Sequence, residues 1–515
     1  MVNVIILAVY IAGMIAIGYY ASKKTKSVND FVLGGRNIGT WLTSFAYGTS
    51  YFSAVVFIGY AGQFGWNYGM SATWIGIGNA LIGSALAWVV LGRRTRLMTA
   101  HLGASTMPEF FEKRFGSKSL KIAAAIIVFV FLIPYTASVY NGLSRLFSMA
   151  FPIDYSVCVI LMAVLTAAYV ILGGYTATAI NDFVQGIIML LGIIAVVFCA
   201  VQEGGGLGAI LFDLSVIEDS AANISQNSLN SLFGPDPLNL LGVVILTSLG
   251  TWGLPQMVHK FYAIKNDEAI KKGAVISTLF AFVVAGGSYF LGSFVRVFCS
   301  TNAADTGKAF IESPGGRPDF DSMIPGLLEK SLPEILIGVV VILVLSASMS
   351  TLSSLVLTSS STLTIDLIKP FRKKNLSEDR QMLIMRILVA VFLLISVVIA
   401  LNKNALITTL MSISWGALAG SFLGPFTYGL FSKKVTKAAV WASFASGIGI
   451  TVLHMCIFTF GGVSGSFLGF NLASPINAGA FAMIVSLIIV PVVSMFTPKI
   501  PKETADNAFA AIESK

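Results

Sequence analysis

Residues 249–255 read LGTWGLP and lie in the middle of an apolar block that runs from 238 to 259. Pro255 has no backbone N–H to donate to the helix, so this block is predicted to be a broken helix. A second break is predicted at residues 45–53, which read FAYGTSYFS within an apolar block from 41 to 64. In lipid, a helix can break where its freed backbone groups are buried in protein or line a cavity. The two breaks therefore mark a candidate site.

The breaks lie in an unusually apolar chain. Of its 515 residues, 56% are hydrophobic and 11% are charged, a composition that excludes a soluble protein. Apolar blocks recur at about the 20-residue length that a helix needs to cross a ~30 Å hydrocarbon core. We predict an all-α membrane protein with about thirteen transmembrane helices, numbered here as spans one to thirteen. The blocks lie at 2–20, 41–64, 70–91, 120–148, 155–172, 175–201, 238–259, 272–298, 334–366, 383–401, 405–431, 438–460 and 476–496.

The basic residues indicate which side of the membrane each loop faces. Most of the 33 Lys and Arg residues fall on one set of segments between the blocks, whereas the loop from Gln202 to Asn239 has none. Because cytoplasmic loops carry an excess of Lys and Arg, we predict the N-terminus outside and the C-terminus inside. The net charge of +9 then reflects topology, and no binding of nucleic acid is expected. The basic segments are 21–40, 92–121, 260–272, 369–386, 433–437 and the tail from Lys499.

The spacing of the breaks predicts the architecture. They fall in spans two and seven, which are five spans apart. Because that number is odd, the chain crosses the membrane in opposite directions at the two breaks. This arrangement is typical of an inverted five-helix repeat, here 41–201 and 238–431, with a binding site between the halves. We predict one transporter domain over 1–498 and a short cytoplasmic tail over 499–515. The alternative is two kinked helices with glycine at close helix crossings.

Span nine is rich in hydroxyl groups. From Ser346 to Thr364, twelve of nineteen residues are Ser or Thr. Ser350, Ser353 and Ser354 share one helix face because of their i, i+3, i+4 spacing. Hydroxyl oxygens suit a hard monovalent cation. The alternative is that these hydroxyls bond to carbonyls of their own helix and serve as small packing residues.

Asp182 lies about seven residues into span six. A carboxylate at that depth is costly unless a cation or a hydrogen-bond network compensates it. No Lys or Arg shares its span, and we expect no basic residue in the middle of the membrane. Na⁺ or H⁺ is therefore the expected partner of Asp182, with a structural hydrogen bond to a neighbouring Ser or Asn as the alternative.

Other classes of protein are less consistent with the pattern. A channel would need a continuous polar pore, whereas the hydroxyls are concentrated in one span. A transporter-like sensor stays open as an alternative, although no signalling domain is evident. The histidines and cysteines show no metal-ligand spacing, so no enzyme, zinc site or disulfide framework is expected. They are His101, His259, His454, Cys158, Cys199, Cys299 and Cys456.

Ordered motifs along nearly the whole chain resemble those of the sodium:solute symporter family, which includes proline, pantothenate, sialic-acid and glucose carriers. The resemblance implies a leucine-transporter-type fold and Na⁺-coupled symport. The motifs are Phe31-Val-Leu-Gly34-Gly35-Arg36 before span two, Tyr169 through Gly173-Gly174, Ala177, Asp182 and Gln185 in spans five and six, Met349-Ser350-Thr351-Leu352-Ser353 in span nine, and Trp415-Gly416 through Gly424-Pro425 in span eleven.

The resemblance also implies cation sites. In the first Na⁺ site, backbone carbonyls at the break of span two join hydroxyls of span nine, which here are Thr49, Phe52, Ser350 and Thr351. Some members bind a second Na⁺, and the matching residues are Asp182, Ser350, Ser353 and Ser354. If Asp182 binds a second cation, we expect a Hill coefficient for Na⁺ above one that falls in Asp182→Asn.

The resemblance specifies the coupling ion but leaves several substrates open. Proline carriers have an aspartate where this chain has Tyr51, and Tyr175 also departs from the family signature. Sialic acid is disfavoured because residues 134–140 lack the arginine of its carriers. The best hypothesis is an amino acid such as proline, with pantothenate, a monocarboxylate or a sugar as alternatives. The protein is expected to act as a monomer in the cell membrane. Its candidate substrate residues are Tyr47, Tyr51, Trp74, Tyr140, Thr251, Trp252, Gln256 and Trp415.

Overall fold

A computed structural model describes residues 2–23, 27–150, 154–305, 307–313, 317–371, 376–401 and 406–513. The described chain is mostly helical. Nine of its helical stretches are long and apolar enough to cross a membrane, and a bent helix pair makes a tenth. The prediction of an all-α membrane protein is therefore confirmed.

The first half of the chain contains ten α-helices. They are α1 (Val2–Ser22), α2 (Val28–Leu33), α3 (Thr40–Tyr51), α4 (Ala61–Tyr68), α5 (Thr73–Gly78), α6 (Arg93–His101), α7 (Met107–Phe115), α8 (Lys118–Ala150), α9 (Tyr155–Glu203) and α10 (Leu207–Val216). Wider π-helical turns at Val55–Tyr60, Asn79–Leu86 and Trp88–Gly92 continue the neighbouring helices, and short 3₁₀ turns lie at Gly34–Arg36, Gly69–Ala72, Ser220–Ala222 and Ser228–Asn230.

The second half contains the remaining helices and three two-stranded pairs. The helices are α11 (Pro237–Gly253), α12 (Pro255–Ala263), α13 (Asp267–Gly292), α14 (Val295–Phe298), α15 (Met323–Ser331), α16 (Glu334–Thr362), α17 (Lys369–Phe371), α18 (Glu378–Ala400), α19 (Ile407–Phe431), α20 (Lys437–His454), α21 (Pro475–Phe496) and α22 (Lys502–Glu513), with π-helical turns at Leu363–Ile368 and Met455–Phe460 and a 3₁₀ turn at Phe320–Ser322. The parallel pair is β1 (Cys299–Ser300) with β2 (Ala309–Phe310), and the antiparallel pairs are β3 (Glu312–Ser313) with β4 (Arg317–Pro318) and β5 (Ser466–Phe467) with β6 (Phe470–Asn471).

Both predicted helix breaks are confirmed. After α3, the backbone at Phe52 is extended, and the helix resumes at Val55. Leu254 is likewise extended between α11 and α12, which bend by 44°. Pro255 begins α12, where a missing N–H costs nothing because the first turn of a helix has no internal acceptor for it.

Spans five and six are joined without a loop. The long helix α9 changes direction at Gly174, where φ is 56° and ψ is −148°. A β-carbon at Gly174 would lie 2.7 Å from Cδ2 of Phe31 and 2.8 Å from its carbonyl oxygen. Glycine is therefore required there both for the left-handed φ and for the close approach of α2.

The helices that carry the candidate site lie in the centre of the bundle. Among the described spans, those of α16 and α19 are the most buried. The hydroxyl-rich α16 packs against α3, α8 and α9, and α19 packs against α8, α11 and α21. By contrast, α18 and α21 expose leucine, isoleucine and phenylalanine side chains. Such outward apolar faces fit a lipid bilayer.

Candidate functional site

At the break of span two, backbone carbonyls face hydroxyls of α16. Ser350 Oγ lies 3.0 Å from the carbonyl oxygen of Thr49. Thr351 Oγ1 lies 3.4 Å from that oxygen and 3.3 Å from the carbonyl oxygen of Phe52. Both hydroxyls also lie near the carbonyl oxygen of Ala347, at 2.9 and 3.2 Å. Five neutral oxygens from two helices therefore converge at one buried place.

The break itself explains why these oxygens are available. Where a helix ends, its last carbonyls lose their intrahelical donors and its restart leaves N–H groups without acceptors. Here Ser350 and Thr351 supply the donors. The N–H of Ala54 donates to Ser348 Oγ at 3.3 Å, and the N–H of Val55 lies 3.2 Å from Ser53 Oγ. Hydroxyls of α16 and Ser53 thus stabilise the broken segment.

The chemistry of these oxygens fits Na⁺. Hard cations prefer oxygen ligands, and a single charge does not need a cage of carboxylates. Within the described ranges, no group of three or more His, Cys, Asp or Glu side chains is placed to hold a metal. The sequence analysis did not identify Ala347, although its position one turn before the two hydroxyls would have been a signal.

The structure places a buried basic residue beside Asp182, where the sequence analysis expected none. The sequence analysis assigned Lys260 to a cytoplasmic loop, but the helix that restarts at Pro255 continues to Ala263 and buries this lysine. Its Nζ lies 3.5 Å from Asp182 Oδ2 and donates to Ser354 Oγ at 3.0 Å. A helix restart after a proline is a signal that could have extended the predicted span by about one turn, from residue 259 to Ala263.

The residues suggested for a second Na⁺ site are only partly together. Asp182 and Ser354 meet around the ammonium of Lys260, and Ser354 Oγ also lies 2.9 Å from Ser50 Oγ on α3. The hydroxyl of Ser353 instead donates to the carbonyl of Ser350 at 2.9 Å. A second Na⁺ at this place stays a prediction, and Lys260 occupies the space between its proposed ligands.

Three candidate substrate residues contact span three. The hydroxyls of Tyr47 and Thr251 donate to the carbonyl oxygen of Gly83, at 2.8 and 3.0 Å. Trp252 Nε1 donates to the carbonyl oxygen of Ile82 at 3.0 Å. These bonds connect the breaks of spans two and seven to the same turn of span three.

Other candidates lie apart from that cluster. Trp74 is 39% exposed and its Nε1 donates to the carbonyl of Leu232 in the loop after α10, so it does not join the buried residues. Tyr140 is buried and faces Thr166 of α9. The side chain of Tyr51 lies outside the part of the chain that the structure describes.

Trp415 and Gln256 flank the break of span seven. Trp415 packs edge-on against Tyr135 with ring centroids 5.9 Å apart. Gly250 leaves room for the indole, because a β-carbon there would lie 2.7 Å from it. Gln256 Oε1 and Trp415 Nε1 are buried and have no hydrogen-bond partner among the described residues. Each of these unpaired buried atoms is of the kind that a ligand or an ordered water can satisfy.

The aromatic partner of Trp415 is Tyr135, which the sequence analysis did not select. Its hydroxyl lies beside Trp415 and Ser53. Tyr135 and Tyr140 are five residues apart on α8, so they point to different sides of the helix. The orientation of α8 against α19 therefore determines that Tyr135, and not Tyr140, contacts Trp415.

Comparisons with known proteins find similar sequences over most of the chain. The sequence model of the family described as "Sodium:solute symporter family" matches residues 31–447. The osmoregulated proline transporter OpuE of Bacillus subtilis (strain 168) is 29% identical over 449 residues, 86% of each chain. The sodium/proline symporter of Staphylococcus aureus (strain JH9) is 30% identical over 459 residues, 87% of this chain and 85% of that one.

Solved structures share the fold at low sequence identity. The substrate-bound, outward-open state of a Na⁺-coupled sialic acid symporter aligns with a TM-score of 0.76 at 16% identity, over 97% of this chain and 98% of that one. The manganese transporter of Eremococcus coleocola aligns with a TM-score of 0.51 at 13% identity, over 89% of this chain and 95% of that one. These likenesses concern the fold.

Proposed function

This chain belongs to the sodium:solute symporter family, and we propose that it carries a small organic solute into the cell together with Na⁺. The observation that carries the proposal is the convergence of five oxygens at the break of span two. The residues that would hold Na⁺ are Thr49, Phe52 and Ala347 through their carbonyls and Ser350 and Thr351 through their hydroxyls.

These residues belong to two helices, so the site can couple ion binding to conformation. Bound Na⁺ would be coordinated by all five oxygens. The ion would then hold the carbonyls of Thr49 and Phe52 against α16. This contact favours the conformation in which the broken segment of span two is well ordered. If substrate binds best to that same state, Na⁺ and substrate strengthen each other's binding reciprocally. At a membrane potential, each Na⁺ carried adds about 2.3 kcal/mol per 100 mV to the driving force.

We propose an amino acid such as proline as the substrate. The relatives named as proline carriers are about 30% identical to this chain over most of its length. The buried amide oxygen of Gln256 and the indole N–H of Trp415 have no hydrogen-bond partner among the described residues and could bond to a substrate. Pantothenate, a monocarboxylate and a sugar are the alternatives, because Tyr51 stands where proline carriers have an aspartate.

Uptake into proteoliposomes tests this function. We expect accumulation of radiolabelled proline above its external concentration when an inward Na⁺ gradient is imposed, and no accumulation when choline replaces Na⁺. Na⁺-driven accumulation of radiolabelled pantothenate, lactate or glucose, with none of proline, would show that proline is not the substrate but would keep Na⁺ symport. Downhill Na⁺ flux without any solute would indicate a channel, and binding of solute without flux would indicate a sensor.

For topology, we propose thirteen crossings with the N-terminus outside, the C-terminus inside and two inverted repeats, 41–201 and 238–431. In a variant without native cysteines, Gln226→Cys and Asn302→Cys are expected to react with a membrane-impermeant maleimide added to intact cells. Lys369→Cys is expected to react only after the membrane is permeabilised. All three positions are exposed and lie between predicted spans, so access depends on the side of the membrane. The reverse pattern would invert the assignment of the two faces.

A further inference from the structure

We propose that the ammonium group of Lys260 occupies the second cation position beside Asp182, so that the chain binds one Na⁺ and not two. The inference rests on the proposed function, because it concerns the number of ions that the same carrier binds. It replaces the second Na⁺ suggested by the family pattern with a cation that is part of the chain.

The geometry of Lys260 is that of a bound cation. Its side chain is 2% exposed, and Nζ contacts Ser354 Oγ at 3.0 Å and Asp182 Oδ2 at 3.5 Å. Nζ also lies 5.2 Å from the centre of the Tyr175 ring, where a cation is attracted to the π face. Two of the four residues suggested for a second Na⁺ site are therefore ligands of the ammonium.

The charge of Asp182 requires such a cation. Its side chain is fully buried, and within the described chain Lys260 is the basic residue paired with it. A buried carboxylate left without a charge partner is strongly unfavourable. Lys260 therefore performs the charge compensation that the sequence analysis assigned to Na⁺ or H⁺.

The same ammonium excludes a second ion. A Na⁺ bound through Asp182 Oδ2 and Ser354 Oγ would lie directly beside Nζ, and two like charges at that separation repel strongly in a buried environment. Lys260 would have to leave before the ion could enter. Because the backbone of its helix is held in place, the ammonium could leave only by rotation of the lysine side chain.

Contacts at the inner end of the bundle hold that helix. The N–H of Ile38 donates to the carbonyl of Ala263 at 3.2 Å, and the N–H of Lys265 donates to the carbonyl of Ile38 at 3.2 Å. The guanidinium of Arg36 donates to the carbonyl oxygens of Tyr262 and Ala104. The inner halves of the two broken spans are thus joined, and Lys260 connects this joined unit to α9 and α16.

Equilibrium binding of ²²Na⁺ to the purified full chain tests the proposal. We expect one bound Na⁺ per chain in the wild type and two in Lys260→Ala, because the substitution uncovers Asp182 and Ser354. The double variant Lys260→Ala/Asp182→Asn is expected to return to one. The Hill coefficient of Na⁺-dependent uptake should be near one in the wild type, above one in Lys260→Ala and near one in the double variant.

Two further variants keep the test decisive. Lys265→Ala removes an exposed lysine five residues away from Lys260. This variant should bind the same number of Na⁺ ions per chain as the wild type. If Lys260→Ala does not fold, Asp182→Asn is compared with the wild type instead. The proposal expects this variant to bind one Na⁺ per chain, as the wild type does. Two ions in the wild type, or a single ion in folded Lys260→Ala, would overturn the proposal. No bound Na⁺ in the wild type would instead overturn the proposed function.

Discussion

In Thr351→Ala, the Na⁺ concentration that gives half-maximal uptake is expected to rise by about 10- to 100-fold, because a contact with a charged group contributes about 1.5–3 kcal/mol. The Thr351 hydroxyl lies within 3.4 Å of three carbonyl oxygens, those of Thr49, Phe52 and Ala347. Removing it deletes one ligand and loosens the contact between the two helices. Initial rates of uptake at varied Na⁺, with a fixed membrane potential, measure the effect, and Ser350→Ala is expected to act in the same direction.

Ser360→Ala is the matched control for this prediction. Ser360 lies on the same helix and is buried, but its hydroxyl donates to Leu357 of its own helix at 3.2 Å. Its Na⁺ requirement should equal that of the wild type, and Thr351→Ser should recover most of the affinity because it restores the hydroxyl. Normal Na⁺ activation in both Ser350→Ala and Thr351→Ala would eliminate this site.

Gly65→Ala is expected to prevent recovery of folded protein. A β-carbon at Gly65 would lie 1.8 Å from the carbonyl oxygen of Gly292, so α4 and α13 could not keep their present separation. The clash is with backbone, which cannot move aside as a flexible side chain can. Overpacking in a close-packed interior costs about 1–3 kcal/mol when neighbours adjust, and more when they cannot. Size-exclusion chromatography of a fluorescent fusion in detergent measures the loss as aggregated or missing protein.

Gly286→Ala on α13 provides the comparison. A β-carbon at Gly286 meets no atom within 4 Å, so the variant is expected to elute as a single peak with the yield of the wild type. The pair thus separates the helix propensity of alanine, which is the same at both sites, from the space available. A monodisperse Gly65→Ala protein with normal thermal stability would contradict the close approach of α4 and α13.

The ion site was more accessible to sequence reasoning than the substrate site. The resemblance to the family implied Thr49, Phe52, Ser350 and Thr351, and the structure brings them together. The substrate candidates were a largely aromatic set drawn from spans two, three, four, seven and eleven. Whether an aromatic ring faces a cavity depends on how its helix is rotated against its neighbours, and Trp74 and Tyr140 face elsewhere.

The sequence by itself determined the class of protein, its family, and the positions of both helix breaks. These features are local: an apolar run of sufficient length must cross the bilayer, and a proline removes a donor whatever surrounds it. Only the tertiary structure decided that Lys260 meets Asp182, 78 residues earlier in the chain, and that Tyr135 rather than Tyr140 packs against Trp415. Such contacts arise from the rotation and spacing of packed helices, which depend on side chains from many distant segments at once.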